Sequence, residues 1–198
     1  MRLIGLAKMK ELLDEIRHCK TCLPSLINGV NPVLKAHSES KILIIGQSPG
    51  SVVHKTGKAW DDKSGERLRE WLGVSDVEFY NEKLFALIPM GFCYPGKGKS
   101  GDLPPRPECA PQWHEKLLDK MHGVELTLLI GNYAQKYYLR NQVKPTLTET
   151  VRNYESYYPK YIPLPHPSPR NNIWLKKNEW FNESLLPMLK KKVQLIIH

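Results

Sequence analysis

Four cysteines and two histidine-bearing loops are the residues of this chain whose types and spacing can do chemistry. The cysteines fall as Cys19-x-x-Cys22, then Cys93, then Cys109. A CxxC pair brings two sulfurs within reach of one ion or cluster. The other two lie near the ends of residues 91–111, a stretch with five prolines and four glycines. So irregular a segment inside a compact domain needs something to tie it down. Four thiolates suit tetrahedral zinc or a cubane iron–sulfur cluster, and residue types alone leave both open.

The first loop follows the apolar run Ile42-Leu43-Ile44-Ile45. It begins Gly46-Gln47-Ser48-Pro49-Gly50 and carries His54, Lys55, Gly57, Lys58, Trp60, Asp61 and Asp62. An imidazole, an indole, two carboxylates and the backbone amides of a Gly/Pro turn therefore gather in one place. The second loop is Pro165-His166-Pro167-Ser168-Pro169-Arg170-Asn171. Prolines on both sides of His166 remove conformational freedom, which is how a chain aims one imidazole. Arg170 beyond it suits a phosphate or a base stack.

These loops need elements to hold them. Ile42–Ile45 reads as a fully buried strand, and residues 84–90, 126–130 and 161–165 as three more, the last at an edge or strand end because of its prolines. Helical spacing covers residues 3–17, with Leu3, Leu6, Met9, Leu12, Leu13 and Ile16 on one face. It recurs over 64–72 (Ser64 as N-cap, Gly73 as stop), 112–121, 132–139, 147–153 and 183–197. Strands alternating with helices predict a three-layer α/β/α domain spanning residues 1–198, with a central, mostly parallel four-stranded sheet. In such sheets ligands bind beyond the carboxyl ends of the strands, where both loops begin.

The net charge of +9 favours a polyanionic partner, nucleic acid first, although the run Lys190-Lys191-Lys192 supplies part of it. No apolar run is long enough to span a bilayer, and no secretory leader is read at the start. A cytoplasmic monomer without a membrane partner is expected. In that compartment structural disulfides are rare, which strengthens the metal reading of the cysteines.

With both loops in view, the sequence resembles the uracil-DNA glycosylase superfamily over nearly its whole length. GQSPG resembles the first motif and HPSPRN the second, the latter in the form of the single-strand-selective branch. Gly57-Lys58-Ala59-Trp60 followed by Gly65, and the cysteine spacing, resemble the iron–sulfur family 4 type. The resemblance implies a monofunctional DNA N-glycosylase that excises uracil or another deaminated base in base excision repair. It implies His166, Ser48, Gln47, Asp61 and Asp62 as catalytic candidates. Gly46, Gln47, Trp60 and His54 would bind the base; Ser168, Arg170, Asn171, Lys55 and Lys58 would touch DNA. Cys19, Cys22, Cys93 and Cys109 would hold a 4Fe-4S cluster, with zinc as the alternative.

Three positions depart from the pattern. Ser48 stands where the best-known members have Asp or Asn, and family 4 Ala. Gln47 stands where family 4 has Glu. Pro89 stands where family 4 has the asparagine that reads the base edge, and proline has neither amide nor N–H to offer. Two other readings follow: a non-catalytic nucleic-acid-binding member of the fold, or a hydrolase of small nucleosides or nucleotides.

Overall fold

The structure is a computed structural model that describes residues 2–198, with side chains from residue 6 onward. The expectation for Leu3 lies outside those side chains. Helix α1 (Arg2–Arg17) leads into strand β1 (Ile42–Ile45), then helices α2 (Ser51–Thr56), α3 (Lys63–Leu72) and α4 (Asp76–Phe79). Strand β2 (Phe85–Leu87) follows, then a small antiparallel hairpin, β3 (Lys97–Gly98) and β4 (Gly101–Asp102). After α5 (Cys109–Leu118) come β5 (Leu126–Ile130), α6 (Asn132–Leu139), α7 (Leu147–Arg152), β6 (Tyr161–Leu164), α8 (Asn172–Lys177) and α9 (Leu186–Ile197).

The four long strands pair in the order β2-β1-β5-β6, all parallel. Alternation along them decides which helices each face covers. Ile42, Ile44, Leu128, Ile130 and Ile162 point to one side, against Leu68 and Leu72 of α3 and Leu189 and Val193 of α9. Leu43, Ile45, Ala86, Ile88 and Leu129 point to the other, against Met9, Leu12 and Ile16 of α1 and Trp113 and Leu117 of α5. This is the expected three-layer α/β/α arrangement. Strand β6 is the edge that its prolines predict.

The structure corrects several local expectations. The second strand stops at Leu87 because Pro89 lacks the N–H a ladder needs, yet pairing with the first loop continues irregularly. The amides of Ile88, Met90 and Gly91 donate to the carbonyls of Ile44, Gly46 and Gln47 at 2.9–3.0 Å. Helix α3 is capped by Asp62, whose carboxylate accepts from Gly65 N at 2.9 Å, so Ser64 is inside the helix and is not the cap. Helix α2 stands where a plain loop was expected, opened by Gly50 and closed by Gly57 in the left-handed region. The Pro/Gly-rich segment contains the β3–β4 hairpin, and its end already forms the first turn of α5, three residues earlier than its spacing predicts. A π-turn over Phe181–Leu185 precedes α9 where Pro187 removes an i→i−4 donor. No helix among the described residues is long and apolar enough to cross a membrane.

Candidate active site

A crevice of about 440 Å³ opens at the carboxyl ends of the strands. The loop after β1 contributes residues 46–50 together with Trp60 and Asp62; Pro89 comes from beyond β2, and Ser100, Gly101 and Asp102 from the hairpin. The loop after β6 contributes His166, Ser168, Arg170 and Asn171. Two loops distant in sequence thus meet, as their positions at strand ends require.

His166 is held in one chemical form. Its Nδ1 accepts from the backbone N–H of Ser168 at 3.2 Å, and a backbone amide can only donate. The neutral ring therefore carries its proton on Nε2. Burial pushes the imidazole pKa down, against the opposing pull of Asp62 and Asp102, so the ring stays neutral. Asn171 Nδ2 donates to the His166 carbonyl at 2.7 Å, and Ser168 Oγ accepts from Arg170 N at 3.3 Å. Arg67 of α3 buttresses the same loop, donating to Ser168 O at 3.2 Å and Asn172 Oδ1 at 2.8 Å.

Trp60 forms a wall of the crevice through an unusual backbone. It sits at φ +58, a left-handed conformation that costs a bulky residue about 1–3 kcal/mol. Tyr80 offsets this by donating its hydroxyl to the carbonyls of Ala59 (3.0 Å) and Trp60 (3.3 Å), and Arg69 Nη1 donates to Trp60 O at 3.3 Å. The indole then lies across Gly46, where a Cβ would come within 2.8 Å of its Cζ2, and stacks at 5.8 Å and 29° on His166. Gly65 is required for the same turn, since a Cβ there would fall 1.8 Å from Trp60 O.

Other sequence candidates lie elsewhere. His54, on α2, points away from the crevice: Nε2 meets the Asn28 carbonyl at 3.2 Å and the ring tilts against Tyr94 at 5.8 Å. Asp61 pairs with Lys58 Nζ at 3.5 Å outside the crevice lining, and Lys58 also lies over the Tyr80 ring at 4.3 Å. Lys55 is exposed on α2. Gln47 and Ser48 line the crevice as expected, and Pro89 lines it without a side-chain donor. The loop motifs gave no pointer to Asp102, which reaches the site on the hairpin; the Gly98-Lys99-Ser100-Gly101 turn was the available signal.

The four thiols line one small cavity with Val30, Pro32, Phe92 and Trp113, and all are free cysteines. Burial, with the neighbouring thiols adding to it, raises the Cys93 pKa to about 11 and the Cys109 pKa to about 12. Phe92 N donates to Cys109 Sγ at 3.3 Å. Among the described residues, no three His, Cys, Asp or Glu side chains stand close enough together to hold one metal ion. Between this cavity and the crevice lies buried His114. Its Nε2 donates to Pro89 O at 3.1 Å, its Nδ1 meets Tyr138 Oη at 2.6 Å, and its ring stacks on Phe92 at 5.7 Å.

The family model of the Uracil DNA glycosylase superfamily matches residues 34–190, most of the chain, and the chain belongs to that superfamily. Both crevice loops, Cys93 and Cys109 fall within the match; Cys19 and Cys22 precede it.

Proposed function

We propose that this member of the uracil-DNA glycosylase superfamily is a monofunctional glycosylase that excises uracil or another deaminated base from DNA. The observation that carries the reading is His166, a neutral imidazole fixed as an Nε2–H donor on the wall of the crevice. Glycosidic cleavage leaves negative charge on the departing base and positive charge on the sugar. A donor aimed at the base carbonyl strengthens its hydrogen bond as that anion develops, worth about 3–4 kcal/mol. The amides of Gln47 and Ser48 add donors on the opposite loop, and Trp60 offers an aromatic wall to the extruded base. Ser168, Arg170 and Asn171 suit the flanking phosphates, with Lys55 and Lys58 farther out.

The same proposal assigns Cys19, Cys22, Cys93 and Cys109 to a 4Fe-4S cluster. All four donors are sulfur and line one cavity, a set that either a cubane cluster or zinc takes, and the likeness of the cysteine spacing to the family 4 type favours the cubane. When bound, the cluster supplies a staple between the end of α1, the segment after β2 and the start of α5.

The test is base release from oligonucleotides carrying uracil, hypoxanthine or xanthine, single- and double-stranded, read by alkaline strand cleavage. Metal-loaded wild type should release one of these bases, and His166→Ala should be slower by about 10²–10³-fold while keeping its DNA affinity. No release by loaded wild type would favour the second reading, a nucleic-acid-binding member, for which Ser48 and Pro89 are the specific support.

A further inference from the structure

One part of a hydrolytic reaction has no evident owner in the two family loops. Water must be oriented and relieved of a proton, and Ser48 is neutral and a poor base. Asp61 is paired with Lys58 outside the crevice lining. Asp62 lines the crevice, but one of its oxygens caps α3. The remaining carboxylate in the crevice is Asp102, at the end of the β3–β4 hairpin.

Three features place it. Tyr94, buried and contiguous with the cysteine-bearing segment, donates its hydroxyl to Asp102 Oδ1 at 3.4 Å. The other oxygen, Oδ2, lies 3.6 Å from the point where a Cβ on Gly50 would stand, so it abuts the turn that carries Ser48. The hairpin is drawn in by the second loop: Arg170 Nη1 donates to Ser100 O at 3.4 Å. It also packs on Gly101, where a Cβ would come within 2.4 Å of that nitrogen. Gly101 at φ +146 accommodates both the bend and the guanidinium.

We infer that Asp102 is the water-orienting carboxylate of this enzyme, brought to the first loop by the hairpin in place of a carboxylate or amide at position 48. The inference rests on the glycosylase reading. In the step, the water oxygen bonds to C1′ of the deoxyribose as the C1′–N bond breaks with both electrons leaving on the base. One water proton passes to the Asp102 carboxylate and on to solvent. The departing base anion, hydrogen-bonded by His166 Nε2–H, takes a proton from solvent. The products are the free base and an abasic sugar bearing the new hydroxyl.

Asp102→Asn keeps an oxygen for Tyr94 and removes only the charge and basicity. Under single turnover it should slow base release by about 10²-fold or more. Affinity for an oligonucleotide with a tetrahydrofuran abasic analogue should stay within about threefold or tighten, by removal of one negative charge. Asp102→Ala should regain rate on addition of formate, which a purely structural residue would not do. Release by Asp102→Asn within threefold of wild type, or Asp62→Asn collapsing in its place, overturns the assignment to Asp102 and leaves the glycosylase reading intact. Absence of release by metal-loaded wild type on every oligonucleotide overturns both.

Discussion

The crevice and the cysteine cavity lie on either side of one short segment, residues 89–93, and differ in almost every physical respect. The crevice is about 440 Å³, polar, and lined by hydrogen-bonding groups from both loops. The cavity is about 20 Å³, walled by thiols and apolar side chains. Burial in the crevice keeps an imidazole neutral, which is its useful form as a donor. Burial in the cavity holds thiols protonated, which is the wrong form for a ligand, so only a compensating cation makes thiolates stable there. One environment is ready as folded; under the proposal above, the other would be completed by a bound cluster. His114 touches both, through the Pro89 carbonyl on one side and the Phe92 ring on the other.

Variants can break this contrast, beginning with the largest effect. Cys109→Ala should leave the purified protein nearly free of iron and sulfide. It should lower its melting temperature by on the order of 10 °C, since a ligand that binds only the folded state stabilises it. Unchanged metal content and melting would return the four cysteines to ordinary buried thiols. His166→Ala should do the opposite, removing about 10²–10³-fold of activity while melting and metal content hold. Between these stands His114, whose pKa burial lowers from 6.5 to about 4. The unfolded chain binds that proton first as the solution is acidified. His114's contribution to stability is therefore complete above pH about 6.5, declines as pH falls toward about 4, and amounts to on the order of 3 kcal/mol. Denaturant melts across that window should lose this slope in His114→Gln; a slope that survives assigns it to other groups.

Smaller effects sharpen the crevice side alone. Gly65→Ala forces a Cβ onto Trp60 O and should cost about 1–3 kcal/mol, with base release falling as the indole turns off Gly46. Asp61→Ala removes a half-exposed pair with Lys58 and should change stability by less than about 1 kcal/mol, with activity within about twofold. A larger loss of activity would restore Asp61 to the candidate catalytic groups.

Much of this protein was legible in its sequence. Four apolar runs became the four parallel strands because a strand buried on both faces has few other ways to satisfy its side chains and backbone. Two loops at strand ends had to meet, and His166, Ser48, Gln47 and Trp60 do line one crevice. The cysteine spacing placed four thiols around one cavity. Local reading failed where a neighbour across space outvoted propensity. Asp62 caps α3 because the left-handed turn at Trp60 delivers it there, and that turn depends on Tyr80, Arg69 and the missing side chain of Gly65. His54 looked like a crevice group until α2 formed and turned it to Asn28. Asp102 had only a Gly-flanked turn before it as a signal, because its place depends on Arg170, about seventy residues on, reaching back to hold the hairpin. Sequence by itself determined the strands, the loops at their ends and the gathering of the four thiols, since each follows from periodicity, Gly/Pro geometry and residue spacing. Which carboxylate enters the crevice, and which proton His166 carries, only the tertiary structure decided, because both depend on hydrogen bonds and close approaches that the packed chain alone creates.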